Sequence, residues 1–281
     1  MKSLKFLFGL AMLGVTVWVN AQDARPCDTA AAFLTCARAG TRKYQDQAVA
    51  IVDGYQRIGR DFPAMGEHWV NTSLLFDGRL DAVHPEVLTY ITVSGRPQLL
   101  GIAYALPLLA GESVPHWPFG GAAWHDHFRT LDDETFLPLH HAGRNDVSPR
   151  ISMLHAWIWL DNSEGIFAPD NWAIPYLRLS LDPPNPPPVA ASMAISMITG
   201  GSDYFLTSIE AAARLTASDR KTIQSAFRRT EARVRMFLSG RSLGPTLTPE
   251  DLDQLSTLWT NMWAAIDASV SKQTHLQLQG H

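Results

Sequence analysis

The sequence predicts an α+β protein in which a central antiparallel β-sheet or partial barrel packs against an N-terminal helix and C-terminal helices. Residues 62–180 contain β-branched and aromatic runs separated by turn signals. Residues 189–270 change to the periodicity of amphipathic helices. The composition, with 46% hydrophobic and 18% charged residues, excludes intrinsic disorder.

The first residues have the pattern of a secretory signal peptide. Lys2 and Lys5 precede an apolar stretch, Phe6 to Val19, that is shorter than the ~20 residues of a membrane-spanning helix. We therefore expect residues 1–21 to be removed, leaving residues 22–281 as a single α+β domain in the periplasm or outside the cell. The alternative is that this segment is retained as an N-terminal anchor, and the protein would associate with a membrane only in that case.

Charge and cysteine content narrow the function classes. Without Lys2 and Lys5, the 23 basic residues become 21 against 27 acidic ones, so the mature net charge is −6. An acidic chain without a run of basic residues neutralises nucleic-acid phosphates poorly, which excludes a nucleic-acid partner. Cys27 and Cys36 predict one structural disulfide, because their spacing does not match a redox CxxC motif.

In the first half of the chain, periodicity predicts one helix and one hairpin. Apolar residues at helical spacing predict a helix over residues 41–59, which ends at Gly59. The apolar runs Val87–Val93 and Leu99–Leu106 flank a turn signal at residues 94–97, which is typical of a β-hairpin.

Residues 153–160 predict a third strand. Strict alternation along this run places His155, Trp157 and Trp159 on one face. About forty residues rich in proline, glycine, histidine and tryptophan separate the hairpin from this strand, and a loop of that length is usually functional.

The last third of the chain predicts helices. A proline-rich segment at residues 182–188 precedes amphipathic stretches at 202–215 and 218–239. Thr248 has the N-cap position of a further helix, whose aromatic stripe we interpret as core. The polar tail from Ser271 is expected to fray. A protein partner would bind through these helices.

Histidines are crowded in the middle of the chain, where eight of the ten lie between residues 68 and 155. His125 and His127 project to the same side if their segment is extended, and His155 on a neighbouring strand would be a third metal ligand. Imidazole ligands suit copper, zinc or iron. The alternative is a set of surface or hydrogen-bonding histidines, since a bare HxH arises often in such a region.

Two further residues are candidates for the same site. His68 follows Gly66 in a segment where the backbone can approach a ligand closely, and its alternative role is that of a core histidine. Glu86 is predicted to be a metal ligand or a general base, and its alternative is a solvated turn residue. His84, His116, His140 and His141 are interpreted as loop residues.

Several of these residues belong to a pattern that resembles a family of exported bacterial proteins of unassigned activity. The similar segments, which span about residues 41–176, are Gly54-Tyr55, Met65–Asn71, Pro85–Tyr90, Leu154–Trp159 and Asn162–Ala168. The resemblance implies site positions at His68, Glu86 and His155, and it does not imply a reaction. The HxH pair lies outside the pattern.

Two functions are compatible with these features. The first is an exported metal-dependent enzyme, an oxidoreductase or hydrolase that acts on a small molecule. The second is a non-enzymatic binding protein or accessory subunit of a periplasmic or membrane-associated complex, in which the histidines are structural. The chain lacks a nucleophile elbow, a P-loop, a Rossmann fingerprint and an HExxH motif, which disfavours the enzyme classes that use them.

Overall fold

A computed structural model describes Cys27 and residues 29–118, 124–127, 150–213, 215–240 and 244–279. It has the predicted α+β architecture, with a curled antiparallel half-barrel, an N-terminal helix and C-terminal helices. The predicted signal peptide, His140 and His141 lie outside the described residues. The strands are β1 (Gln56–Phe62), β2 (Gly66–Val70), β3 (Val87–Val93), β4 (Arg96–Leu108), β5 (His125–His127) and β6 (Arg150–Ala156). The α-helices are α1 (Ala30–Thr41), α2 (Gln47–Val52), α3 (Thr72–Leu75), α4 (Ile174–Arg178), α5 (Val189–Ser196), α6 (Ser202–Ala212), α7 (Ala217–Ser239), α8 (Pro249–Asp267) and α9 (Lys272–Gln279).

The N-terminal region differs from the prediction. The helix expected over residues 41–59 is wrong, because the chain there forms a 3₁₀ turn, then the short helix α2, then β1. Asp46 caps a new helix start, and Gly54 ends that helix region with a positive φ of 96°. Pairing with β2 then favours a strand over further helix. The predicted disulfide is confirmed, and Cys36 lies within α1.

The six strands among the described residues form one sheet in the order β1-β2-β3-β4-β6-β5, with antiparallel pairing throughout. The predicted hairpin is confirmed as β3 and β4, but its turn is tighter than expected. Ser94 and Gly95 both have positive φ, 49° and 75°, which is the geometry of a two-residue turn matched to strand twist.

The third predicted strand is confirmed, but it begins and ends earlier in the chain than the expected residues 153–160. Strand β6 ends at Ala156, so the alternation does not continue to Trp159. Trp157 keeps its place beside His155, with ring centroids 5.6 Å apart. The assignment of Trp159 to the same face is wrong, because its indole N–H donates to Thr41 Oγ1 at the end of α1.

The C-terminal helices form an apolar core that also includes residues from the sheet. Leu100 of β4 and Trp157 belong to the same buried cluster as Phe205 and Trp259. Trp259 is therefore a core residue, as the aromatic stripe of α8 predicted. Helix α8 begins with the expected Thr248 N-cap, which is completed as a capping box by Asp251.

The tail is ordered rather than frayed, contrary to the prediction. Residues 272–279 form α9. The Asp219 carboxylate of α7 accepts hydrogen bonds from the Ser271 backbone N–H and from the hydroxyls of Ser271 and Thr274. The sequence pattern of polar residues concealed this interaction because its partner lies about fifty positions earlier.

Candidate functional site

The two faces of the sheet have different chemistry. One face, which we call the aromatic face, packs Leu88, Tyr90 and Tyr104 against the N-terminal region. The opposite face, which we call the histidine face, carries Val87 and Ala103 together with the histidines of β2, β5 and β6. Alternation along each strand produces this separation, since residues two apart share a face.

His68 and His155 meet on the histidine face although their strands are not neighbours. Strands β3 and β4 lie between β2 and β6, a separation of about 14 Å in a flat sheet at ~4.8 Å per strand. The Nε2 atoms of the two imidazoles are nevertheless 3.4 Å apart. The curl of the half-barrel therefore brings both rings over the intervening strands.

Small residues on β4 leave room for these rings. Gly101 is in register with Thr89, which is itself opposite His68, and Ala103 is opposite His155. A Cβ atom on Gly101 would lie 3.1 Å from Thr89 Oγ1 and 3.2 Å from the Trp157 ring. Larger side chains at these positions would therefore fill the space that the imidazoles cross.

The HxH segment is extended, as predicted, and its two histidines lie on the histidine face. His125 is opposite Met153 of β6 and His127 is opposite Ile151. The rings of His125 and His155 are 5.1 Å apart between centroids, and those of His125 and His127 are also 5.1 Å apart. His68, His155, His125 and His127 thus form a continuous row of imidazoles.

This row is almost inaccessible to solvent. The four histidines are between 1% and 5% exposed. Two aromatic rings border the His68–His155 pair. The ring centroid of Phe62 lies 5.1 Å from that of His68, and the ring centroid of Trp157 lies 5.6 Å from that of His155. A low-polarity wall of this kind strengthens electrostatic interactions with whatever the imidazoles bind.

A buried ion pair on the other side of β5 orients the HxH histidines. Asp126 lies between them and therefore points to the opposite face, where its carboxylate is 3.1 Å from Nε of Arg150. Both side chains are less than a tenth exposed. The Arg150 guanidinium also donates to the Leu109 and Glu112 carbonyls, which ties β5 to the loop after β4. Sequence reasoning missed this pair, although an acidic residue between two histidines was a signal for it.

Glu86 does not lie with the histidines. It directly precedes Val87 of the histidine face, so it points to the aromatic side, where its carboxylate accepts a hydrogen bond from the Ala105 N–H at 3.0 Å. Burial raises its pKa to about 8, and the charges of Asp77 and Asp81 add to the rise. Its predicted role as a solvated turn residue is wrong, and its role as ligand or base has no support from this position.

The remaining histidines have the loop character that the sequence indicated. His84 is exposed and 2.9 Å from an Asp81 carboxylate oxygen, and His116 is also exposed. Sequence reasoning also missed Met153, whose Sδ atom lies 3.3 Å from Nε2 of His155. Its position two residues before His155 was the available signal, because a strand places both on one face.

Within the described parts of the chain, no group of three or more His, Cys, Asp or Glu side chains has the arrangement of a metal site. None of the described helices combines the length and the apolar character needed to cross a membrane. Comparisons with protein-family models, with curated proteins and with solved structures found no match to this chain. The resemblance to exported bacterial proteins therefore stays a prediction.

Proposed function

We propose that this protein binds a transition-metal ion between His68 and His155. The observation that carries the proposal is the 3.4 Å separation of their Nε2 atoms. Two imidazole nitrogens bound to one tetrahedral ion, with bonds of ~2.0–2.1 Å, lie about 3.3 Å apart. The pair is therefore already at the spacing that a shared ion requires.

His125 is the next candidate ligand, because its ring is adjacent to that of His155. His127 is adjacent to His125 and extends the row further from the pair. We infer that His125 and His127 support the rings of the His68–His155 pair. Copper, zinc and iron are the ions that this chemistry accommodates.

The alternative explanation of the short distance is a hydrogen bond between the two rings, with one imidazole as donor and the other as acceptor. Such a pair would be structural and would have no affinity for a metal. The two explanations differ in what the purified protein does with added metal, so one titration distinguishes them.

Export is a further part of the proposal. The Cys27–Cys36 disulfide is typical of proteins in an oxidising compartment, which agrees with the signal-like N-terminus. Catalysis by an oxidoreductase or hydrolase stays a prediction, as does the alternative of an accessory subunit bound through the C-terminal helices.

The test is metal titration of the purified, chelator-treated protein with Zn(II) and, under reducing conditions that leave the disulfide intact, with Cu(I). We expect one ion per chain, and we expect His68→Gln and His155→Gln each to weaken binding by roughly tenfold or more. His84→Gln is the matched control, because His84 is exposed and contacts Asp81. Circular dichroism establishes that each variant is folded. Absence of stoichiometric binding, or equal binding by the wild type and both variants, would overturn the proposal.

A further inference from the structure

The Met153 thioether lies in the same row as the histidines. Met153 is only 1% exposed and belongs to β6, opposite Ala105 of β4 and His125 of β5. Its Sδ atom is 3.3 Å from Nε2 of His155, the same nitrogen that lies 3.4 Å from Nε2 of His68. One imidazole nitrogen is therefore flanked by a second imidazole nitrogen and a sulfur.

We propose that the site is selective for a cuprous ion, with Met153 as its sulfur ligand beside His68 and His155. This inference rests on the metal binding proposed above and specifies the ion. A nitrogen and a sulfur on one tetrahedral ion, at bond lengths of ~2.0–2.1 and ~2.3 Å, lie about 3.5 Å apart. The observed spacing of 3.3 Å between the sulfur and the His155 nitrogen is close to that value.

The donor types favour copper over zinc. A thioether is a soft ligand that selects Cu(I), whereas Zn(II) sites in proteins use thiolate, imidazole and carboxylate. Both cysteines of this chain are in the disulfide, so neither offers a thiolate. The nearest carboxylate in the HxH segment, Asp126, points to the other face and pairs with Arg150.

The charge of the ion supports the same choice. Two neutral imidazoles and a thioether bring no negative charge, so the ion's own charge remains when it is buried. The site is nearly closed to solvent, with Phe62 and Trp157 beside the imidazole pair. Burial of a divalent cation without an anionic ligand costs more than burial of a monovalent one, because the solvation lost grows with the square of the charge.

A further polar group faces this space. Thr89, which is 1% exposed and opposite His68, has a buried hydroxyl oxygen with no hydrogen-bond partner in the parts of the chain that the structure describes. A buried hydroxyl normally finds a partner, so this one is consistent with a ligand on the histidine face.

The test is the substitution Met153→Leu, which conserves volume and is generally tolerated in cores. Cu(I) affinity is measured by competition with a chromophoric Cu(I) chelator, and Zn(II) affinity by competition with a fluorescent zinc indicator. We expect Met153→Leu to weaken Cu(I) binding by roughly tenfold or more and to leave Zn(II) binding within about threefold. Met262→Leu is the matched control, because Met262 is also buried but lies in the helical core.

X-ray absorption of the Cu(I)-loaded protein gives an independent measurement. We expect a sulfur scatterer at ~2.3 Å in the wild type and its loss in Met153→Leu. Tighter binding of Zn(II) than of Cu(I), or a Cu(I) spectrum without sulfur, overturns the selectivity and leaves the proposed metal binding intact. If the wild type binds neither ion, both proposals fail.

Discussion

Replacement of Glu86 by glutamine tests whether burial keeps this carboxyl protonated in the folded protein up to a pH of about 8. The Ala105 N–H donates to the Glu86 carboxylate in the folded protein. Glutamine has the same shape and retains a carbonyl oxygen as acceptor, but it does not titrate. The substitution therefore removes the proton equilibrium while it preserves the hydrogen bond.

The sign and size of the effect follow from the pKa. Burial raises the pKa of Glu86 from its ordinary value of 4.5 to about 8. Between these values the folded protein retains a proton that the unfolded chain releases, so the wild type loses stability as the pH rises from about 4.5 to 8. At about 1.4 kcal/mol per pH unit, the loss is at most about 5 kcal/mol across that window. Above pH 8 both states are ionised and the loss is complete.

The assay is urea unfolding of the wild type and of Glu86→Gln at pH 5, 6.5 and 8. Other groups titrate in both proteins, so the informative quantity is the difference in unfolding free energy at each pH. We expect the variant to gain stability relative to the wild type as the pH rises, by several kcal/mol between pH 5 and 8. Glu112→Gln is the control, because Glu112 also accepts a backbone N–H but is exposed. A difference that is constant with pH would refute the reasoning.

Three further predictions concern the framework of the fold. Gly66→Ala should destabilise by about 2–4 kcal/mol in urea unfolding, because Gly66 has a φ of 86° and a Cβ there would overlap a carbonyl oxygen of β3. The Ser271 backbone N–H and neighbouring hydroxyls lower the pKa of Asp219 to about 2, so the stability that its carboxylate contributes is present above the ordinary pKa of 3.8 and is lost as the pH falls towards 2. Asp219→Asn should therefore lose less thermal stability than the wild type between pH 4 and 2. An equal loss in the two proteins would contradict this role of Asp219. Replacement of Cys27 and Cys36 by serine should lower the free energy of unfolding in urea by up to about 3 kcal/mol, since the closed loop is short. An unchanged free energy would show that packing already holds the segment.

Short sequence motifs predicted the elements whose structure depends on neighbouring residues in the chain. The hairpin of β3 and β4 was readable because two apolar runs flank a Ser-Gly turn, and both turn residues have positive φ as such a turn requires. The start of α8 was readable because Thr248 and Asp251 satisfy backbone N–H groups within one turn, and Pro249 at the first helical position has no N–H that needs a partner. Each signal lies within a few residues of the structure that it specifies.

Predictions failed where a distant partner decided the outcome. The periodicity over residues 41–59 suits a helix, but pairing of β1 with β2 makes its last part a strand. Trp159 continues the alternation of β6 in sequence, yet its N–H bonds to Thr41, more than a hundred residues earlier. The tail after Ser271 looked frayed because the acceptor that holds it is on α7.

The sequence by itself determined which residues are available for a site: His125 and His127 two positions apart, His155 on a predicted strand, and His68. It also determined the disulfide and the separation of a sheet region from a helical region. Only the tertiary structure decided that His68 and His155 meet, because their strands are separated by two others and the contact depends on the curl of the sheet and on Gly101 and Ala103 between them. The sequence predicted Glu86 to lie in the same site. The alternation that gathers the histidines on one face places Glu86 on the opposite face.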